Sequence, residues 1–161
     1  MLKIVPVRKA NDLAAIQGLL RAYADALEFD LGFQDFEKEL ETLPGDYAPP
    51  EGALLLARWE GEPAGCVALR KLAGETCEMK RLYVKPHFRS MGIGKALVDH
   101  IIRTARRRGY VCMRLDTVPS MARARALYTA EGFTPIAPYR FNPIAGAAFM
   151  ELQLLKKGVR K

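Results

Sequence analysis

The period of apolar and polar positions changes several times along the chain, and each change marks an element. Residues 2–8 (LKIVPVR) alternate apolar and polar, which predicts an edge strand, where Pro6 is tolerable. Asn11 or Asp12 then offers a helix cap, and Leu13, Ile16, Leu20, Tyr23 and Leu27 recur at helical spacing. Residues 34–42 predict a second short helix, ended by Leu43-Pro44-Gly45. Pro44 to Gly52 carries three prolines and two glycines and reads as loop. Two strand-like runs, 53–59 and 63–71, flank Glu60-Gly61-Glu62, a tight hairpin signal, and 75–84 gives a third strand. After Pro86 the period lengthens. Ile93, Leu97, Val98, Ile101, Ile102 and Ala105 fall on one face of a helix over 93–108, with Gly109 as its stop. A strand over 110–117, a helix over 120–131 and strands over 133–138 and 147–155 complete the chain.

The order β-α-α-β-β-β-α-β-α-β-β places hairpins before β-α-β crossovers. That predicts an α/β (α+β) fold with one mixed sheet and helices on both faces. At 161 residues the chain fits a single domain, able to bury roughly 70% of its unfolded surface. Hydrophobic residues at 50% and charged ones at 27% argue against long disorder. Cys66, Cys77 and Cys112 form neither a disulfide framework nor zinc spacing, so they read as buried thiols in a reducing cytoplasm, and no metal is expected. No apolar run approaches the ~18 residues of a membrane span, and MLKIVPVRKAND lacks the apolar stretch of a signal peptide. The expectation is a cytoplasmic protein with no membrane partner.

Lys plus Arg outnumber Asp plus Glu 25 to 18, a net charge of +7, which favours an anionic partner. The junction Val84-Lys85-Pro86-His87-Phe88-Arg89-Ser90-Met91-Gly92-Ile93-Gly94-Lys95 shows where one would bind. A strand ends there, a short turn follows, and a long helix starts. Gly92 and Gly94 let a ligand approach the backbone, and the first-turn N–H groups and helix dipole favour a phosphate or pyrophosphate. Arg89, Lys95, Lys85 and His87 add positive charge. The Gly-Lys-Ser/Thr of a P-loop is absent, and Val98 stands where a dinucleotide fingerprint needs its third glycine.

This segment resembles the pyrophosphate motif, Arg/Gln-x-x-Gly-x-Gly/Ala, of the GNAT superfamily of acyl-CoA-dependent N-acyltransferases. Ala124-Arg-Ala-Leu127-Tyr128-Thr-Ala-Glu-Gly132-Phe133 is similar to the family's Ala-x-x-Leu-Tyr-x-x-x-Gly-Phe. The match covers roughly 53–154. It implies about seven mixed strands with four helices, splayed between the fourth and fifth strands, in one domain over 1–161. Residues 53–154 would be the acyl-CoA core, and 1–50 would line the acceptor side. It implies acetyl-CoA as co-substrate, held by Arg89, Ser90, Met91, Gly92, Ile93, Gly94 and Lys95 at its phosphates. Leu82, Tyr83 and Val84 would lie along its pantetheine arm. In the family a strand bulge frees a backbone N–H for the thioester carbonyl, here that of Leu82 or Tyr83. By motif position Tyr128 would act as general acid toward the departing thiolate. Glu78, eleven residues before Arg89, is similar in offset to the catalytic glutamate of the histone-modifying branch. A half-buried carboxylate there would have a raised pKa suited to a general base, the alternative being a salt bridge to Lys80 or another cation. The family often has Asn where this chain has Met121; Ser120 or Thr117 could replace that contact.

The connection Tyr139-Arg-Phe-Asn142-Pro143-Ile-Ala-Gly146 suggests a shaped loop near the acceptor, with Tyr139 and Asn142 as substrate contacts. The acceptor expected is a primary amine of a small molecule or peptide, acetylated by direct attack in a ternary complex. A homodimer is left open. Arg103, Arg106, Arg107 and Arg108, at a helix C-terminus, read as a solvated face, as do Glu37, Glu39 and Glu41. Two other readings compete: a non-catalytic acyl-CoA sensor, and a basic nucleic-acid-binding domain. The second is disfavoured by mostly aliphatic strands.

Overall fold

The structure, a computed structural model, describes residues 1–27 and 35–155. Seven strands form one sheet: β1 (Leu2–Pro6), β2 (Ala53–Trp59), β3 (Glu62–Ala73), β4 (Thr76–Val84), β5 (Cys112–Thr117), β6 (Thr134–Ile136) and β7 (Ala148–Gln153). The helices are α1 (Ala10–Ala26), α2 (Phe36–Thr42), α3 (Ile93–Arg107) and α4 (Ala122–Ala130). The sheet order is β1-β2-β3-β4-β5-β7-β6; β4 and β5 run parallel and the other neighbours antiparallel. This is the mixed sheet with four helices that the sequence predicts. The predicted start of the second helix, Gln34, lies outside the described residues.

Strand alternation divides the core in two. Leu55, Ala57, Val67, Leu69, Cys77 and Met79 face α3, whose Ile93, Leu97, Val98 and Ile101 are at most 1% exposed. Each such aliphatic side chain contributes about 1.5–3 kcal/mol through burial. Leu54, Leu56, Cys66 and Ala68 face the other way, against Ile16, Leu19 and Leu20 of α1 and Phe36 and Leu40 of α2. Strands β2 and β3 are apolar on both faces over Leu54–Ala57 and Cys66–Leu69 because helices cover both. Glu60 (φ 49°) and Gly61 (φ 84°) make the two-residue hairpin between β2 and β3, with Trp59 paired to Glu62.

Three local expectations are corrected. Helix α1 begins at Ala10 with Lys9 at its N-cap, and no side chain caps it. Asn11 and Asp12 are therefore inside the first turn, where the Asp12 carboxylate takes a 3.2 Å bond from Arg58 of β2. The arginines ending α3 are not simply solvated. Arg106 donates to the Leu154 carbonyl at 3.1 Å, and Arg108 donates to the carbonyls of Pro50 and Gly52 at 2.6 Å each. Glu39 is also not solvated, as described below.

Candidate active site

Strands β4 and β5 pair only over Thr76–Glu78 and Cys112–Arg114. Beyond Glu78 they separate, so the β5-facing edge of residues 79–84 borders a gap. A cleft of about 600 Å³ opens where β4 ends. Leu82, Tyr83 and Val84 form one wall. Phe88, Arg89, Ser90 and the start of α3 from Gly92 to Lys95 form the next, and Met121, Arg123 and Leu127 lie across from them. The end of α1, at Tyr23, Ala26 and Leu27, closes the far side. Of the residues predicted to hold the cofactor, all but Met91 line this cleft; Met91 is 43% exposed outside it.

The front of α3 is built for an anion. Gly92 occupies the N-cap in the left-handed region (φ 81°), and no side chain caps the helix. The first helical bond runs from Ala96 N–H to Gly92 O, which leaves the amides of Ile93, Gly94 and Lys95 outside the helix ladder. A Cβ at Gly92 would meet nothing within 4 Å, so open space faces that backbone. Arg89 donates to the Val84 carbonyl at 2.9 Å, and Arg123 to Ser90 Oγ at 3.3 Å, which keeps both guanidiniums at the rim. Lys95 is shared between Asp99 (2.8 Å) and Glu131 (3.3 Å). His87 lies 3.5 Å from Glu62.

Strand β4 carries a bulge. Cys66 pairs with Tyr83 and Ala68 with Lys80, so Arg81 and Leu82 together oppose Val67. Arg81 has φ 61°, unusual for a non-glycine residue. Its carbonyl accepts the Cys66 thiol at 3.4 Å, from the β3 side. Carbonyl and N–H point opposite ways across a planar trans peptide, so the Leu82 N–H turns away from β3, toward the gap. The Arg81 guanidinium is itself buried and doubly bonded to Glu39 of α2, with Nε and Nη2 each at 2.8 Å. Its charge holds the Glu39 carboxyl below the usual range, although burial acts in the other direction.

On the same face of the sheet sits Glu78, with no exposed surface. Arg70 donates to its Oε1 at 2.8 Å, Tyr139 donates to its Oε2 at 2.6 Å, and Arg140 bonds to the same oxygen. The expectation of a raised pKa is therefore corrected. Burial does push it up, but Lys80, Arg140, Tyr139 and Arg70 together hold this carboxyl below the usual range. The alternative reading of Glu78 as an ion-pair partner is the geometry found, with Arg70 and Arg140 as cations that the sequence did not single out. Tyr139 and Asn142 are both turned onto the sheet, Tyr139 to Glu78 and Asn142 to Asp116 Oδ2 at 3.1 Å, and neither lines the cleft. Asp116, on β5 across the gap, was not singled out either.

Tyr128 is 7% exposed and packs at a tilt of 58° against Phe133, with ring centroids 5.7 Å apart, in the core beside the cleft rather than among its lining residues. Burial first, then the nearby Tyr23 and Asp116, push its phenol above the usual range, so it is protonated at neutral pH. The three thiols are buried; burial pushes Cys66 and Cys77 up to about 12 and Cys112 up to about 11, which leaves no thiolate nucleophile among them. Thr117 Oγ1, at the free end of β5, is buried without a hydrogen-bond partner. Met121 lines the cleft where the family often has Asn. Among the described residues no group of three His, Cys, Asp or Glu side chains could hold a metal ion, and no helix is long and apolar enough to cross a membrane.

The comparisons place this splayed mixed sheet, with its uncapped helix front beside a strand bulge, in a known family. Residues 16–133 match the model of the acetyltransferase (GNAT) family, and the chain belongs to that family. It is 38% identical over 157 residues to an uncharacterized N-acetyltransferase of Schizosaccharomyces pombe, covering 96% of each chain. Among solved structures, a GNAT-family acetyltransferase of Staphylococcus aureus superposes with a TM-score of 0.81 at 20% identity, over 96% of this chain and all of that one. An acetyltransferase of Salmonella typhimurium, solved with its cofactor acetyl-CoA, gives a TM-score of 0.73 at 23% identity, over 98% of this chain and 96% of that one.

Proposed function

We propose that the protein transfers an acetyl group from acetyl-CoA to a primary amine of a small molecule or peptide, by direct attack in a ternary complex. The observation that carries this reading is the gap between β4 and β5, opening beside the uncapped front of α3. The free amides of Ile93, Gly94 and Lys95 fit a pyrophosphate, and the rim charges of Arg89 and Arg123 suit its sign. The edge of Leu82 to Val84 suits the amide-bearing pantetheine arm.

In the reaction the amine nitrogen forms a bond to the thioester carbonyl carbon, the carbon–sulfur bond breaks, and CoA leaves as the thiolate, which takes up through solvent the proton that the nitrogen sheds on becoming an amide. A lysine-like amine of pKa ~10.4 is unprotonated to about one part in 2,500 at pH 7, so its proton must leave before attack. Glu78 is poorly suited to take it, since both its oxygens already accept from Arg70, Tyr139 and Arg140. It enters this reading as the anchor of the loop that carries Tyr139 to Asn142, and water in the gap takes the proton. The Leu82 N–H is aimed to receive the carbonyl oxygen as charge develops there. Tyr128 faces a thiol of pKa near ~8.5 with a phenol raised above its usual ~10, so its contribution is a hydrogen bond to the sulfur rather than full proton transfer.

The test is thiol release from acetyl-CoA with a panel of amines: an arylalkylamine, a polyamine, an amino acid and a peptide N-terminus. At least one is expected to give CoA and acetylamide in equal amounts. Tight acetyl-CoA binding with no turnover on any of them would leave the sensor reading standing instead.

A further inference from the structure

We propose that Glu39 is a positioning residue for the transfer: its double bond to Arg81 holds the β4 bulge in the shape that turns the Leu82 N–H into the gap. The inference rests on the reading of that N–H as the donor to the thioester carbonyl.

Arg81 is the residue that makes the bulge, and it does so with φ 61° inside a strand. Such a conformation persists only when the surroundings over-determine it. Here they reach Arg81 from three elements. Glu39 of α2 fixes the planar guanidinium through two parallel bonds of 2.8 Å, a geometry that sets both position and orientation. The rings of Phe36, also on α2, and Tyr23 of α1 lie 5.3 and 6.0 Å from the guanidinium carbon. On the main-chain side, the Cys66 thiol donates to the Arg81 carbonyl. The peptide that carries the Leu82 N–H is thus held at its carbonyl end by β3 and through the Arg81 side chain by α2. The Arg81 side chain is 3% exposed and that of Glu39 17%, so water cannot take over either partner without opening the contact.

This arrangement separates two functions. The amides of α3 that would grip the diphosphate have no link to Glu39, whereas the carbonyl donor depends on it. Loss of the pair should therefore slow the chemical step and spare cofactor affinity. A purely structural ion pair would instead lower stability and leave the rate of the folded fraction unchanged.

The experiment uses the full chain and Glu39→Gln, which keeps the shape and removes the charge. The first readout is the 15N–1H resonance of the Leu82 amide. In the wild type, acetyl-CoA is expected to move it further downfield than CoA does, because only acetyl-CoA brings a carbonyl to it. In Glu39→Gln that difference is expected to fall by at least half, with acetyl-CoA Kd within about twofold of wild type. The second readout is turnover of the best amine, with kcat expected to fall at least tenfold and Glu39→Asp to recover part of it. An unchanged Leu82 difference in Glu39→Gln overturns the inference. So does a wild-type Leu82 amide that responds identically to CoA and acetyl-CoA. If Glu39→Gln does not fold, Arg81→Lys is read by the same two criteria, since it keeps the charge and loses the double bond. A Leu82 response that depends on Glu39 without turnover of any amine would sink the catalytic reading and leave only the positioning of the Leu82 N–H by Glu39.

Discussion

On the α3 side of the gap, the polar groups left free of the helix ladder are backbone amides of consecutive residues, Ile93 to Lys95. On the α1–α2 side the polar groups are side chains gathered from distant parts of the chain. Glu39 meets Arg81 across 42 residues, Tyr139 meets Glu78 across 61, and Asn142 meets Asp116 across 26. The first kind of site needs only a strand, a turn and a helix in order, so it can be reused with any acceptor. The second kind depends on buried charges that must all be matched, so it is specific and fragile. The difference can be broken most forcefully at Glu78. Replacing it with Gln leaves Arg70 and Arg140 without their shared carboxylate, and losing one partner of a buried pair costs about 3–5 kcal/mol. Because its folded pKa is depressed, the carboxylate stabilises the fold above the unfolded value of 4.5. That contribution is lost as pH falls through the lower folded value. Chemical denaturation should show the wild-type advantage at pH 7 and its decline below pH 4.5. Equal stability at pH 7 would mean the cluster is no anchor.

The opposite side breaks differently. Gly92→Asp puts a carboxylate on the helix front while leaving room for its Cβ, and Asp tolerates φ 81° better than most residues. As an N-cap it suits the helix, so the melting temperature should hold. Acetyl-CoA affinity should fall at least about 100-fold, roughly 2.7 kcal/mol, by titration calorimetry. Gly92→Ala, with the strain but no charge, should fall between that variant and the wild type. If Gly92→Asp binds acetyl-CoA as the wild type does, the phosphates do not sit at α3. Tyr128→Phe should lower kcat about 10- to 100-fold with acetyl-CoA Kd unchanged, since the bond lost is the one to the departing sulfur. A rate equal to wild type would return Tyr128 to a packing role.

The same contrast explains what the sequence made legible. The succession of strands and helices along the chain and the cleft walls from Leu82 to Lys95 are readable because each is encoded within a short stretch by period, Gly and Pro. Glu78 and Tyr139 were both singled out, yet their bond to each other was not. Nothing local says that a tyrosine in the connection before β7 returns to β4. The depressed pKa of Glu78 is only partly local: Lys80 lies two residues away, but Arg140, Tyr139 and Arg70, which add to its effect against burial, reach the carboxyl from other segments. Glu39 looked solvated among Glu37 and Glu41, and only the positive φ of Arg81, invisible in sequence, shows why one of the three turns inward. The cap of α1 was misplaced because Asp12 bonds across to β2 instead of to its own first turn.

The mildest perturbation sharpens the comparison from the other end. If backbone amides carry the diphosphate grip, a lysine at the same helix front should matter little. Lys95 is already engaged by Asp99 and Glu131, and its hydrogen bonds to them hold its pKa above the usual value. Its side chain is 64% exposed, so solvent screens what charge remains. Lys95→Gln should therefore weaken acetyl-CoA binding by less than about threefold, and the difference should vanish in about 0.5 M salt. Calorimetric titrations at low and high salt would decide it. A loss comparable with Gly92→Asp, persisting at high salt, would mean that the grip is carried by side-chain charge. The two sides of the gap would then no longer differ in kind.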